Sequence, residues 1–166
     1  DRGDRITRHM SWQRMEQDKD WEEQHDRMLI NLACVGTAFK KSYHSAGKDI
    51  NESDLVLAKD LVLNYWSKSV ETCPRKTHIV PMFRNDIHER IMRGTYRDIT
   101  GEAWFKQPPT PRTDQQTINK DNRQGTNPPM PDETTPYKTL EQHVEMDLDD
   151  DGYAEPYIIT IEENSR

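Results

Sequence analysis

Residues 106–136 hold seven of the chain's ten prolines, and only Ile118 and Met130 are aliphatic among them. A stretch so poor in apolar side chains cannot bury enough surface to offset the entropy of ordering it. It is expected to be a disordered loop or linker, longer than most loops inside a compact domain. A folded core must then be assembled from residues 1–105 together with residues 137–166, the latter completing the same domain.

The rest of the composition agrees with a small core. Of 166 residues, 32% are hydrophobic and 32% charged, with a formal net charge of -7. That acidity gives no general attraction to phosphates, and Arg84, Arg90, Arg93 and Arg97 alternate with acids instead of forming a block. No apolar run approaches membrane-spanning length and no charged-then-apolar leader is visible, so neither a membrane nor secretion is expected. The chain reads as a piece of a longer protein. Cys34 and Cys73 are far apart; Cys34 is expected to pack as a small hydrophobe, without a disulfide.

Hydrophobic periodicity outlines an α+β fold. Residues 4–17 carry weak helical spacing. From Asp18 to Val35, Trp21, Met28, Leu29, Leu32 and Ala33 fall on one stripe, and Gly36 supplies a stop, which predicts a long amphipathic helix. "TAFKKSYH" alternates as a strand. "SDLVLAKDLVLNYW" reads as two short strands or one broken near Lys59-Asp60, and "THIVPMF" as another strand with Pro81 at an edge or end. "NDIHERIMRG" reads as a short helix, with Asp86 and Glu89 as a capping box, Ile87 and Ile91 inward, and Gly94 as its end. Both helices are expected to pack on one small mixed or antiparallel sheet.

A β-hairpin closes the chain. With Asp151-Gly152 as a tight turn, Met146 faces Tyr157, Val144 faces Ile159 and Gln142 faces Ile161. A longer loop of even length keeps the same facing. Its tip, Asp147-x-Asp149-x-Asp151-Gly152, matches the first half of an EF-hand loop, whose alternate carboxylates supply hard oxygens to calcium. Tyr153 would add its backbone carbonyl, and Glu155 would stand at the ninth position. The twelfth is Ile158, where a bidentate Glu belongs, and the flanks are strands. Two readings stay open: a weak, structural Ca2+ site at Asp147, Asp149, Asp151 and Tyr153, and a solvated acidic tip with no cofactor.

Little else suggests chemistry. His9, His25, His44, His78, His88 and His143 show no ligand spacing, and there is no nucleophile elbow, phosphate loop or Cys-x-x-Cys. "RGD" at Arg2–Asp4 and the Asn51–Ser53 acceptor need an extracellular context that nothing supports. Tyr65, Trp66, Tyr96 and Trp104 are expected in a core or interface. No enzyme is predicted.

Taken in order, "RITRHMSWQ…WEEQHDRMLINLACVGTAFKKSYH", "DLVLAKDLVLNYWSKSVETCPRKTHIVPMFRNDIHERIMRGTY" and "YKTLEQHVEMDLDDDGYAEPYIITI" resemble the portal proteins of short-tailed double-stranded-DNA phages and related prophages. The likeness covers residues 1–105 and 137–162; "VGTAFKK", "LNYWSKS" and "DGYAEPY" carry most of it. Family members often have Gly where this chain has Asp150. The resemblance implies a structural protein of the virion, assembled in the host bacterial cytoplasm. Its subunits form a ring, usually of twelve, at one capsid vertex. Double-stranded DNA passes through the ring, and terminase, capsid and tail or head-completion proteins attach to it. This chain would be part of the outer, wing-like region, with little direct hold on DNA.

Overall fold

The computed structural model describes residues 1–45, 47–109, 115–126 and 130–163. The chain divides into two compact units, Asp1–Val62 and Leu63–Arg166. Residues 137–163 fall in the second unit together with residues 63–105. The helices also meet two separate sheets, one of two strands and one of four.

In the first unit, the Asp1 carboxylate caps helix α1 (Arg2–Trp12) by accepting from the Gly3 amide at 3.4 Å. A π-helical turn, Gln13–Gln17, follows. Helix α2 (Trp21–Val35) stops where expected: Gly36 takes φ 80° and its amide donates to the Leu32 carbonyl at 2.9 Å. A left-handed φ of this kind suits glycine, which has no Cβ to clash. Strands β1 (Phe39–Ser45) and β2 (Ile50–Val56) pair antiparallel, from Phe39 opposite Val56 to Ser45 opposite Ile50. Helix α2 is tied to β2 where the Gln24 side-chain oxygen accepts from the Leu55 amide at 3.2 Å.

The face that α2 covers keeps only Trp21 and Met28 of the expected stripe. Trp21, Gln24, His25, Met28 and Asn31 are partly covered, while Leu29, Leu32 and Ala33 are exposed, as are Ile30 and Val35. The reason is width, since a two-stranded hairpin shields only a narrow strip of an apolar helix. Cys34, expected to pack, is exposed for the same reason.

A 3-10 turn, Ala58–Asp60, separates β2 from strand β3 (Leu61–Leu63), as the break near Lys59-Asp60 predicted. The larger sheet runs β3–β4–β5–β6. Here β4 is Arg75–Met82, β5 is Tyr137–Met146 and β6 is Glu155–Glu162. Neighbours β4, β5 and β6 are antiparallel. Pro81 falls near the end of β4, where losing one ladder donor is tolerated.

Helix α3 (Arg84–Met92) begins earlier than the sequence suggested: Asp86 is its third residue and accepts from the Phe83 amide at 3.2 Å. Ile87 is buried and Ile91 packs against the same core. A short helix α4 (Ala103–Lys106) inserts Phe105, 1% exposed, among Met82, Ile87 and Tyr137. Burying a ring that completely contributes about 2–3 kcal/mol.

Within the proline-rich stretch, residues Gln115–Gln124 form helix α5, although a loop was expected there. No proline or glycine interrupts that run, and Gly125 at φ 65° follows its end. Residues 110–114 and 127–129 of that stretch, and 164–166 of the closing segment, lie outside the described residues. No described helix is long and apolar enough to cross a membrane.

Candidate metal centre

The C-terminal hairpin forms, but its register differs by two residues from a tight Asp151-Gly152 turn. Met146 lies opposite Glu155, Val144 opposite Tyr157 and Gln142 opposite Ile159. The shift is even, so each side chain keeps its face. It arises because residues 147–154 form a wider loop organised by its own carboxylates. Asp147 accepts from the Asp151 amide at 3.2 Å and from the Gly152 amide at 2.8 Å. Asp151 accepts from the Tyr153 amide at 2.7 Å. Asp150 at φ 59° and Gly152 at φ 88° make the bends that aim these amides inward. Aspartate and glycine are the residue types that tolerate such angles.

Asp147, Asp149 and Asp151 each place one carboxylate oxygen within 4.8 Å of the others, and all three are exposed. Tyr153 is bound to this group through its amide and leaves its ring in solvent. Glu155 does not join them: it begins β6, and its carboxylate accepts from the Tyr157 hydroxyl at 2.7 Å. Ile158 lies on β6 and supplies no carboxylate. Three hard oxygens in one place fit calcium in kind but fall short of the six to eight that it takes; water would have to supply the rest.

A second polar cluster, not singled out in the sequence, lies in the first unit. The Tyr43 hydroxyl donates to Asp54 at 2.8 Å. Burial, then the Asp54 hydrogen bond and the charges of Asp54 and Glu52, hold Tyr43 protonated far above its ordinary range. The Lys48 ammonium donates to Glu52 at 2.6 Å and lowers that carboxyl. Burial, with Glu52 and Asp20 nearby, raises Asp18. The spacing Tyr43, Glu52, Asp54 becomes legible only once β1 and β2 are paired. The cluster ties a hairpin together and displays no nucleophile.

Cys73 is buried at a chain reversal. It accepts from the Asn64 amide at 3.4 Å and donates to the Arg75 carbonyl at 2.9 Å. Burial opposes its ionisation, but hydrogen bonding involving Ser67 and Asn64 outweighs it and lowers the thiol. Held by these hydrogen bonds, with the Lys76 charge also acting on it, it reads as an anchor for the loop. Of the aromatic residues expected in a core or interface, Tyr96 and Trp104 pack against the second unit's core. Tyr65 and Trp66 instead stand 88% and 86% exposed, edge to face with each other. The chain matches no family model, no curated protein and no solved structure.

Proposed function

We propose that this chain is a structural, non-catalytic segment of a phage portal protein, in its wing-like region, acting by presenting surfaces to neighbouring subunits or capsid proteins. The observation that carries the reading is the uncovered apolar face of α2. Leu29, Leu32 and Val35, at spacings of three, are exposed along one side of the helix, and Ile30 is exposed on another. Apolar patches of this kind mark association surfaces more often than free solvent faces. The ordered motifs that resemble portal proteins point the same way, and the acidity of the chain suits a part that does not grip DNA. Native mass spectrometry of the full-length protein under assembly conditions tests it: a closed ring supports the proposal, and a strictly monomeric protein overturns it.

A second reading, a calcium-dependent binding module, draws on the approach of the Asp147, Asp149 and Asp151 carboxylates. The hydrogen bonds that Asp147 and Asp151 accept from backbone amides account for the loop's shape without an ion, which places this reading second. Melting curves with calcium and with chelator separate the two. Saturating calcium at 100 times its dissociation constant stabilises by about 2.7 kcal/mol; an unchanged Tm removes the metal reading.

A further inference from the structure

Strand β6 is the last strand of its sheet, and no described strand pairs with its outer side. Which of its backbone groups face outward follows from the ladder. The Glu163 amide donates to the Lys138 carbonyl at 3.0 Å. Hydrogen-bonded pairs alternate in an antiparallel ladder, so odd-numbered residues of β6 bond to β5 and even-numbered ones point out. The free edge therefore displays the N–H and C=O of Ile158 and of Thr160. Pro156 is the first outward position, where a missing N–H is harmless.

Two further features sit beside this edge. Ile158 is 68% exposed on an uncharged run, Pro156 to Ile161. On the same sheet face, a groove of about 760 Å³ runs along β6, lined by Tyr96, Ile99 and Trp104 among others. Ile158 is itself part of the groove's wall, with Thr160 and the Arg97–Glu102 ion pair, so joining two β6 edges lays each Ile158 against the matching wall of the other copy.

We infer that β6 pairs antiparallel with β6 of a second copy of this chain, about a two-fold axis at Ile159. Sheet faces match across such an axis only for certain registers, and two are central. In one, Ile158 lies opposite its own copy, and the Thr160 carbonyl faces the partner proline, which has no N–H to give. In the other, Ile158 lies opposite the partner's Thr160 and Ile159 opposite its own copy. All outward groups of Ile158 and Thr160 are then satisfied, in about four backbone hydrogen bonds. This register also sets each Ile158 beside the partner's Thr160, at the groove, and pairs Tyr157 with Ile161 on the opposite face. It brings Glu155 opposite the partner's Glu163 at each end, where Glu163 is already paired with Lys138 at 3.1 Å; each copy carries a formal net charge of -7, so salt, by screening that repulsion, tightens the contact. The inference is independent of the portal reading: an isologous pair closes at two copies, whereas ring contacts run head to tail.

Analytical ultracentrifugation of the 166-residue chain across a hundredfold concentration range, at low and high salt, tests the pairing. The expected result is a monomer–dimer equilibrium that shifts to dimer with salt. Thr160→Pro and Ile158→Lys should both leave a monomer, with circular dichroism confirming the fold. Register is read by disulfide trapping in a Cys34→Ser background. Non-hydrogen-bonded antiparallel partners lie about 4.5 Å apart at Cα, within disulfide reach. Ile159→Cys should cross-link to its copy, and Ile158→Cys should not. A monomer at every concentration, a dimer weakened by salt, or Ile158→Cys cross-linking as readily as Ile159→Cys would each overturn the inference.

Discussion

The Tyr137 hydroxyl reaches the Phe105 carbonyl at 3.1 Å and the Gln107 carbonyl at 3.0 Å, joining the two ends of the long proline-rich excursion. Tyr137 is buried, so its donor would be costly if left without a partner, and the contact explains why tyrosine stands there. Its ring also packs against Phe105 and Trp104. Tyr137→Phe should keep the ring packing but strand the carbonyls beneath it. The expected loss is about 1–2 kcal/mol in urea unfolding, with an unchanged slope m.

Because that clasp holds the excursion's ends together, most of the excursion should be dispensable for folding. Replacing residues 108–135 by a short Gly-Ser linker should leave the core of Met82, Ile87, Phe105 and Tyr137 intact. Loop-closure entropy varies slowly with length, by about 0.6 kcal/mol per doubling. A melting scan of the shortened chain should show a Tm within a few degrees of the parent. A large drop would mean that helix α5 contributes to the core.

Tyr43 gives a prediction in alkaline solution. Burial and the neighbouring Asp54 and Glu52 raise its ionisation above the ordinary tyrosine value near 10. A group raised in the folded state contributes stability that is complete below its unfolded value. That stability is lost as the pH climbs towards the folded value. Urea midpoints should therefore fall above about pH 10, and Tyr43→Phe should flatten the decline. Tyr43 is 38% exposed, so solvent screening moderates the effect. Ultraviolet titration should also show one fewer late-ionising phenol in the variant.

What could be read from the sequence follows the range over which each signal acts. Helix α2, the β1–β2 strands, the break at Ala58–Asp60 and the closing hairpin depend on neighbours within about ten residues, and periodicity carries that information. The uncovered side of α2 does not, because covering Leu29 and Leu32 depends on how wide a sheet lies beneath the helix. The two-residue register shift at the tip escaped for a related reason. A tight Asp-Gly turn is the commonest reading of that dipeptide, yet Asp147 binds two amides further along and holds the loop open. The Tyr43 cluster needed strand pairing before its members became neighbours.

That role of Asp147 can be isolated from any ion. Asp147 accepts from Asp151 and Gly152, so Asp147→Ala leaves two amides to water and should cost about 1 kcal/mol without calcium present. Among the described residues no backbone amide donates to Asp149, so Asp149→Ala should be nearly neutral under the same conditions. Gly152→Ala separates backbone from side-chain effects. An added Cβ meets nothing within 4 Å, so only the left-handed φ of 88° opposes it, at about 1–2 kcal/mol. If the loop is shaped by its amides, the order of destabilisation in chelator is Gly152→Ala and Asp147→Ala well above Asp149→Ala. If a cation shapes it instead, Asp149→Ala in calcium should lose as much as Asp147→Ala, and chelator should erase the difference between the parent and Asp149→Ala.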